Sequence, residues 1–149
     1  MIKDFENISH TADLQIRVYG KTLKDLFKNA LIGMFQSIKP NTQDENCHYQ
    51  EDRLICSDFT QGHNIDLTST DLDFLLIDFL SEALYLSDVH NEAYLDIDIH
   101  ELTHTKISAT LKGIKITGFE VVEIKAVTYS GLEIKKENNY YITDIVFDI

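Results

Sequence analysis

The chain contains two stretches in which an alternating strand pattern leads into a helical pattern. In the first stretch, Leu14, Ile16 and Val18 alternate with polar residues before Gly20, as in a half-buried strand. Thr22 can cap the following helix, and Pro40 marks its end. The apolar residues between them recur at helical spacing: Leu23, Leu26, Phe27, Ala30, Leu31, Met34 and Phe35.

The second stretch repeats this order. Ile65 and Leu67 alternate with polar residues before a Thr-Ser-Thr run that offers helix caps. A helix is predicted over about residues 71–87, with an apolar face wide enough to be largely buried. That face consists of Leu72, Leu75, Leu76, Phe79, Leu80, Ala83 and Leu84.

The rest of the chain predicts further strands. Short apolar or alternating runs cover residues 49–57, 93–99, 106–111, 121–129, 132–135 and 141–147. These strands and the two helices predict an α+β fold, in which a mixed β-sheet is packed by two main amphipathic helices. No low-complexity segment or long linker interrupts the pattern, so residues 1–149 are expected to form a single domain.

Composition and charge narrow the function classes. With 149 residues, of which 44% are hydrophobic, the chain can bury one substantial core. Its 13 Lys and Arg against 25 Asp and Glu give a formal charge of −12, which opposes direct binding to nucleic acid. Such a charge suits a cation, a basic protein partner or solubility alone. No signal peptide or membrane span is predicted, and a cytoplasmic protein without membrane attachment is expected.

Two sequence features that resemble metal sites fail in their context. Cys47 and Cys56 form no CxxC pair, so neither a zinc cluster nor a disulfide is predicted, as expected for a reducing compartment. Residues His100 to His104 read HELTH, which matches a zinc-protease pattern that functions on a helix. Strand patterns lie on both sides of HELTH, and it is therefore predicted to connect a β-hairpin.

A more informative group is formed by acids at strand ends. By the period of two, Asp13 and Asp148 lie on the polar faces of their strands, where acids are also ordinary. Glu123 and Lys125 interrupt an apolar run, which is costly unless they pair with each other or with a cation. If Glu123 meets Asp13 or Asp148, carboxylates about 5 Å apart repel by roughly 3 kcal/mol at an effective dielectric of 20. A bound cation would offset that repulsion.

Several motifs in a fixed order resemble the archease family. They are HTADLQIRVYG from His10, the helix pattern L-x-x-L-F-x-x-A-L from Leu23, LDFLLIDFLSEALY from Leu72, EIKAVTY from Glu123 and VFDI at residues 146–149. The position after EIKAVTY is often histidine in that family and is Ser130 here. A role of that histidine would therefore not transfer to this chain.

The resemblance implies a non-catalytic protein cofactor. Archeases activate the GTP-dependent RNA ligase of tRNA splicing and RNA repair, promoting ligase guanylylation and multiple turnover. The resemblance places a metal site at Asp13 and Asp148, and the terminal carboxylate of Ile149 could add oxygens. Glu123 and Lys125 are candidates for the same functional patch, and His10 is assigned a structural hydrogen bond. Hard oxygen ligands favour Ca²⁺, with Mg²⁺ or Mn²⁺ as alternatives.

Two other function classes stay open on the residues alone. A small metal-dependent phosphohydrolase would use the same acids to activate water. An acidic chaperone or adaptor would bind proteins through exposed apolar surface and need no metal. No Ser-His-Asp arrangement, P-loop or dinucleotide fingerprint is found in the sequence, which favours a protein without a reaction of its own.

Overall fold

The computed structural model describes residues 3–8, 13–129 and 131–149. Two α-helices are present in these ranges: α1 covers Leu23–Ser37 and α2 covers Leu72–His90. Helix α1 begins at its predicted cap, since the Thr22 side chain accepts a hydrogen bond from the Asp25 amide (3.1 Å). The cap of α2 is Asp71, which follows the predicted Thr-Ser-Thr run and accepts a hydrogen bond from the Phe74 amide (2.9 Å). Neither helix is long and apolar enough to cross a membrane.

Twelve strands accompany the helices in the described ranges. They are β1 Phe5–Ile8, β2 Leu14–Gly20, β3 Pro40–Asn41, β4 Cys47–Gln50, β5 Arg53–Cys56, β6 Gln61–Thr68, β7 Glu92–Leu102, β8 Lys106–Lys115, β9 Gly118–Phe119, β10 Ala126–Val127, β11 Lys135–Glu137 and β12 Tyr140–Asp148. The predicted α+β class with two main helices is confirmed.

The strands are divided among four sheets. The largest, here called the first sheet, has the order β1-β2-β12-β10, with β11 also paired to β12. A second sheet has the order β6-β8-β7, and β3-β9 and β4-β5 form two-stranded pairs. Each pairing between described strands is antiparallel. The sheet prediction therefore differs in detail, because the described strands pair antiparallel and are divided among four sheets rather than one.

The core lies between the helices and the two larger sheets. Phe27 of α1 and Phe79 of α2 are fully buried, with ring centroids 5.6 Å apart. Phe35 of α1 meets Tyr94 of β7 edge to face at 5.7 Å. Both helices therefore bury the faces that their apolar spacing predicts, and each contacts strands of both larger sheets.

Two predicted strands are wrong. Residues 49–57 do not form one strand, because β4 and β5 pair as a hairpin whose turn contains Glu51 with a positive φ of 57°. Residues 121–129 form a mostly irregular segment in which Ala126–Val127 alone pair. The run of apolar residues there packs against the core from a loop, with Val127 buried and Val121 exposed. The predicted strand at 132–135 is displaced to Lys135–Glu137.

The expectation for the cysteines is also wrong. Cys47 and Cys56 are directly opposite each other in the β4-β5 register and form a disulfide, with Cα atoms 4.0 Å apart. The turn at Glu51 reverses the chain between the two cysteines. The predicted continuous strand over residues 49–57 contained no such turn and therefore did not indicate the disulfide. The prediction that HELTH belongs to a hairpin is confirmed. His100 lies in β7, which ends at Leu102, and His104 lies in the turn between β7 and β8.

Candidate functional site

The register between β2 and β12 brings two predicted site residues together. Leu14 pairs with Phe147, so the same register continued by one residue places Asp13 opposite Asp148. Directly opposite residues in antiparallel strands have Cα atoms about 4.5–5.5 Å apart and side chains on the same face. Phe147 is fully buried towards the core, so the two aspartates belong to the outer face. We call Asp13, Asp148 and Ile149 the acidic end.

The acidic end is accessible and is bordered by β10. Asp148 is exposed, while Asp13 and Ile149 are half-buried. Ala126 pairs with Asp148, and the Lys125 amide donates a hydrogen bond to the Asp148 carbonyl (2.7 Å). Asp148 therefore lies between the chain at Asp13 and the chain at Lys125, so three separate segments meet at this end of the first sheet.

The donor atoms at this end suit a hard cation. Carboxylate oxygens are preferred by Ca²⁺ and Mg²⁺, whereas zinc sites favour sulfur and imidazole ligands. Within residues 3–8, 13–129 and 131–149, no three His, Cys, Asp or Glu side chains come together as a metal site. The acidic end therefore supplies two side-chain carboxylates, those of Asp13 and Asp148, which match the predicted metal in ligand type. The predicted His10 lies outside the described residues, as does Ser130.

Glu123 and Lys125 occupy different surroundings from those assumed for them. Both side chains are exposed. They were singled out because a charge in a buried strand is costly, and that cost does not arise here. Lys125 adjoins Asp148 through the backbone, whereas Glu123 lines a cavity of about 160 Å³ together with Asp88 and Asn91 at the end of α2. The structure thus links Lys125, but not Glu123, to the acidic end.

An ion pair that was not predicted fixes the register of the two strands. The Arg17 guanidinium donates from Nε to Asp144 Oδ1 (2.7 Å) and from Nη2 to Oδ2 (3.1 Å). This hydrogen-bonded partner raises the pKa of Arg17 above its usual range, and two-point contacts of this kind are geometrically specific. The pair shares the outer face with Asp13 and Asp148. The alternation of Asp13, Gln15 and Arg17 was the sequence feature that could have indicated an ion pair between Arg17 and an acid on the same face.

A second set of contacts ties the segment after β10 to α2. The Tyr129 hydroxyl donates to Asp78 Oδ1 (3.0 Å), and the Ser69 hydroxyl donates to Asp78 Oδ2 (2.8 Å). The hydrogen bond to Asp78, together with desolvation, raises the pKa of Tyr129. The Asp73 carboxylate accepts from the Ile134 amide (3.1 Å). Carboxylates on the start of α2 therefore hold the loop that leads away from the acidic end.

Comparisons with known proteins agree with this architecture over nearly the whole chain. A model of the archease protein family matches residues 5–149. The protein archease of Methanosarcina acetivorans is 33% identical, and the alignment covers 99% of this chain and 97% of that protein.

Two solved structures share the fold. A solution structure of a Methanobacterium thermoautotrophicum protein has a TM-score of 0.73 and 27% identity, covering 99% of this chain and 100% of that one. A crystal structure from Thermotoga maritima, described as an archease and possible chaperone, has a TM-score of 0.61 over 97% and 96% of the two chains. At 19% identity, this second likeness shows the fold alone. From the family match and the full-length relative, the chain belongs to the archease family.

Proposed function

We propose that this protein is a non-catalytic cofactor that activates a GTP-dependent RNA ligase. In this role it promotes guanylylation of the ligase and multiple turnover in tRNA splicing or RNA repair. The observation that carries the proposal is the β2-β12 register, which pairs Leu14 with Phe147. Continued by one residue, this register sets Asp13 beside Asp148 at one end of the first sheet. Membership of the archease family supports the same role.

In this proposal, Asp13 and Asp148 hold a divalent cation, with oxygens of Ile149 as further donors. Ca²⁺ is the first choice, and Mg²⁺ or Mn²⁺ would fit the same ligand type. A bound divalent ion would supply positive charge for neutralising phosphate oxygens. The chain itself contributes position, since the Arg17–Asp144 pair and the β10 hydrogen bonds hold the aspartates on fixed strands. Asp148, the exposed residue of the acidic end, is then presented to the nucleotide site of the ligase.

Ligation turnover tests the proposed role. A catalytic amount of the partner ligase is supplied with GTP, broken RNA and wild-type protein, Asp13→Ala or Asp148→Ala. We expect wild type to raise product per ligase well above one, and each variant to lose most of this stimulation. Asp66→Ala is the matched control, because Asp66 is an exposed aspartate on β6. This substitution changes the net charge by the same amount as Asp13→Ala or Asp148→Ala.

The outcomes separate the remaining function classes. Equal stimulation by wild type and both variants would remove the acidic end from the mechanism and leave an adaptor without a metal role. Hydrolysis of a phosphoester by the protein alone, lost in Asp13→Ala, would instead support a metal-dependent phosphohydrolase.

Calorimetric titration with Ca²⁺ tests the cation site without any ligase. We expect one site in wild type, a loss of affinity of at least tenfold in Asp13→Asn or Asp148→Asn, and no change in Asp66→Asn. Removing one charged ligand from a small oxygen site leaves too little negative charge to replace the hydration shell of the ion. Unchanged Ca²⁺ binding in both site variants would contradict the assignment of the aspartates.

A further inference from the structure

Helix α2 presents an unpartnered face to solvent. Its positions 74, 78, 81, 82, 85, 88 and 89 fall on one side of the helix at 3.6 residues per turn. We call these seven residues the α2 stripe. From Phe74 to Val89 the stripe runs for about 22 Å at 1.5 Å per residue. The opposite side of the helix, including Phe79 and Leu80, is fully buried.

The α2 stripe exposes large apolar side chains. Phe74 is 44% exposed, Tyr85 62% and Val89 52%. Tyr129 is 54% exposed and lies against Phe74, with ring centroids 5.3 Å apart. Four of the seven large apolar residues exposed in the described chain therefore gather on or beside this helix. Such clustering is typical of an interaction surface rather than of scattered surface residues.

The same stripe carries negatively charged side chains that form no ion pair within the described residues. Asp78, Glu82 and Asp88 lie on it, and residues 72–90 contain no Lys or Arg. Among the ion pairs of the described residues, none involves a carboxylate of α2. By contrast, acids on β7 have cationic partners, as in the Lys112–Asp98 pair at 2.7 Å. Asp78 already accepts hydrogen bonds from Ser69 and Tyr129, so the negative charge offered to a partner is mainly that of Glu82 and Asp88.

We propose that the α2 stripe is a docking surface for a positively charged, Arg-containing segment of a protein partner. Carboxylates attract the guanidinium, and exposed aromatic rings favour it over ammonium because its planar group stacks on them. Apolar side chains of the segment would cover Phe74, Tyr85 and Val89. A phosphate backbone or an anionic membrane is disfavoured by the same charges. That the segment belongs to the RNA ligase rests on the proposed function, whereas the chemistry of the docking does not.

A peptide titration tests the docking surface directly. The probe is a synthetic peptide of about 15 residues, the length of a helix that matches the stripe, composed of Arg, Leu and Ala. Affinity is measured by calorimetry for wild type, Phe74→Ser/Tyr85→Ser and Glu82→Gln/Asp88→Asn. We expect each double variant to bind at least tenfold more weakly, with the wild-type affinity falling as salt increases.

Matched variants elsewhere provide the controls. Tyr49→Ser/Ile55→Ser removes two side chains that are 39% and 41% exposed on the β4-β5 hairpin, and Asp66→Asn/Asp58→Asn removes two exposed carboxylates. Both controls should bind the peptide within about twofold of wild type. Equal binding by wild type and both stripe variants would overturn the proposal. Equal weakening by Glu82→Gln/Asp88→Asn and by Asp66→Asn/Asp58→Asn would also overturn it, because attraction would then follow net charge alone.

Binding to the ligase separates this inference from the proposed function. We expect Phe74→Ser/Tyr85→Ser to need more protein for half-maximal stimulation of ligation, and Asp13→Ala to lose stimulation while binding peptide normally. If wild type fails to stimulate the ligase but binds peptide through the stripe, the docking surface stands and the proposed function fails. If ligation is stimulated equally by wild type and stripe variants, and neither stripe variant loses peptide affinity, the docking surface fails alone.

Discussion

Glu92 illustrates how a single buried carboxylate can be accommodated at the start of β7. Its side chain is 2% exposed and accepts hydrogen bonds from Tyr94 Oη (2.8 Å) and His63 Nε2 (2.6 Å), with Lys115 Nζ at 3.4 Å. Burial opposes ionisation, but these partners outweigh it and lower the pKa of Glu92 below its usual value. Burial and the neighbouring carboxylate raise the pKa of Tyr94. The ionised form of Glu92 is therefore part of the native state.

Replacement of Glu92 by Gln should destabilise the fold at neutral pH. We expect a loss of about 1–3 kcal/mol in the free energy of unfolding, because the amide cannot accept from all three donors. A lowered pKa contributes stability above the unfolded value of about 4.3, and this contribution is lost as pH falls through the folded pKa. The difference in the free energy of unfolding between wild type and Glu92→Gln should therefore narrow below about pH 4.

Urea unfolding from pH 7 to pH 3 measures this dependence. Glu45→Gln is the control, because Glu45 is exposed, and it should follow the wild-type curve. A constant difference between wild type and Glu92→Gln over the whole pH range would contradict ionisation of Glu92 as the cause.

At the scale of elements, periodicity predicted the helices and the central strands well. Apolar spacing located α1 and α2 within a few residues, because each helix buries one continuous face, and Thr22 was also the correct cap of α1. The β4-β5 hairpin was missed because Asp52 is the one residue of its Glu51-Asp52 turn that usually indicates a turn, and neither Gly nor Pro accompanies it. The segment before β10 was read as a strand because local apolar content does not show whether a partner strand is available.

The hairpin is joined to α1 by one buried amide. Gln36 is 6% exposed, donates from Nε2 to the Leu54 carbonyl (3.0 Å) and accepts at Oε1 from the Leu54 amide (2.9 Å). Gln36→Leu should cost about 2–4 kcal/mol, although it adds apolar volume, because it leaves two buried backbone groups without partners. Thermal unfolding would measure the loss. Gln43→Leu, at an exposed position, is the control, and an equally stable Gln36→Leu protein would contradict this account.

The Cys47–Cys56 disulfide should add to the stability of the same hairpin. Closing a loop of about ten residues restricts the unfolded chain by roughly 2–3 kcal/mol in the chain-entropy description. We therefore expect a reducing agent to lower the melting temperature of wild type and to leave Cys47→Ser/Cys56→Ser unaffected. Identical melting of wild type with and without reductant, with free thiols found by mass spectrometry in both samples, would show that the pair is not oxidised in solution.

At the scale of the whole molecule, the candidate site joins residues from opposite ends of the sequence. Alternation placed Asp13 and Asp148 on polar faces, but periodicity within a strand carries no information about which strand lies beside it. The pairing of β2 with β12 supplied that information. The resemblance to archeases had already grouped the two aspartates, whereas the α2 stripe followed from the exposure of its side chains.

Two regions of this molecule carry distinct parts of the proposed activity. The acidic end would act at the nucleotide site of the ligase, and the α2 stripe would bind a basic segment of the partner. The tethering of the segment after β10 to α2 through Tyr129 and Asp78 connects them. Tyr129→Phe should weaken stimulation less than Asp13→Ala, because it removes one hydrogen bond, worth about 1 kcal/mol, and no carboxylate. Dose–response curves for ligation would compare the two variants, and an equal loss would contradict this division.

The most direct measurement is the rate of ligase guanylylation under GTP with wild type, Asp13→Ala, Asp148→Ala and the double variant. If the two aspartates form one site, each single variant should lose nearly all of the stimulation and the double variant should lose little more, because residues that act as a unit are not additive. Independent, additive losses, or full stimulation by the double variant, would contradict the claim that the β2-β12 register builds the functional site.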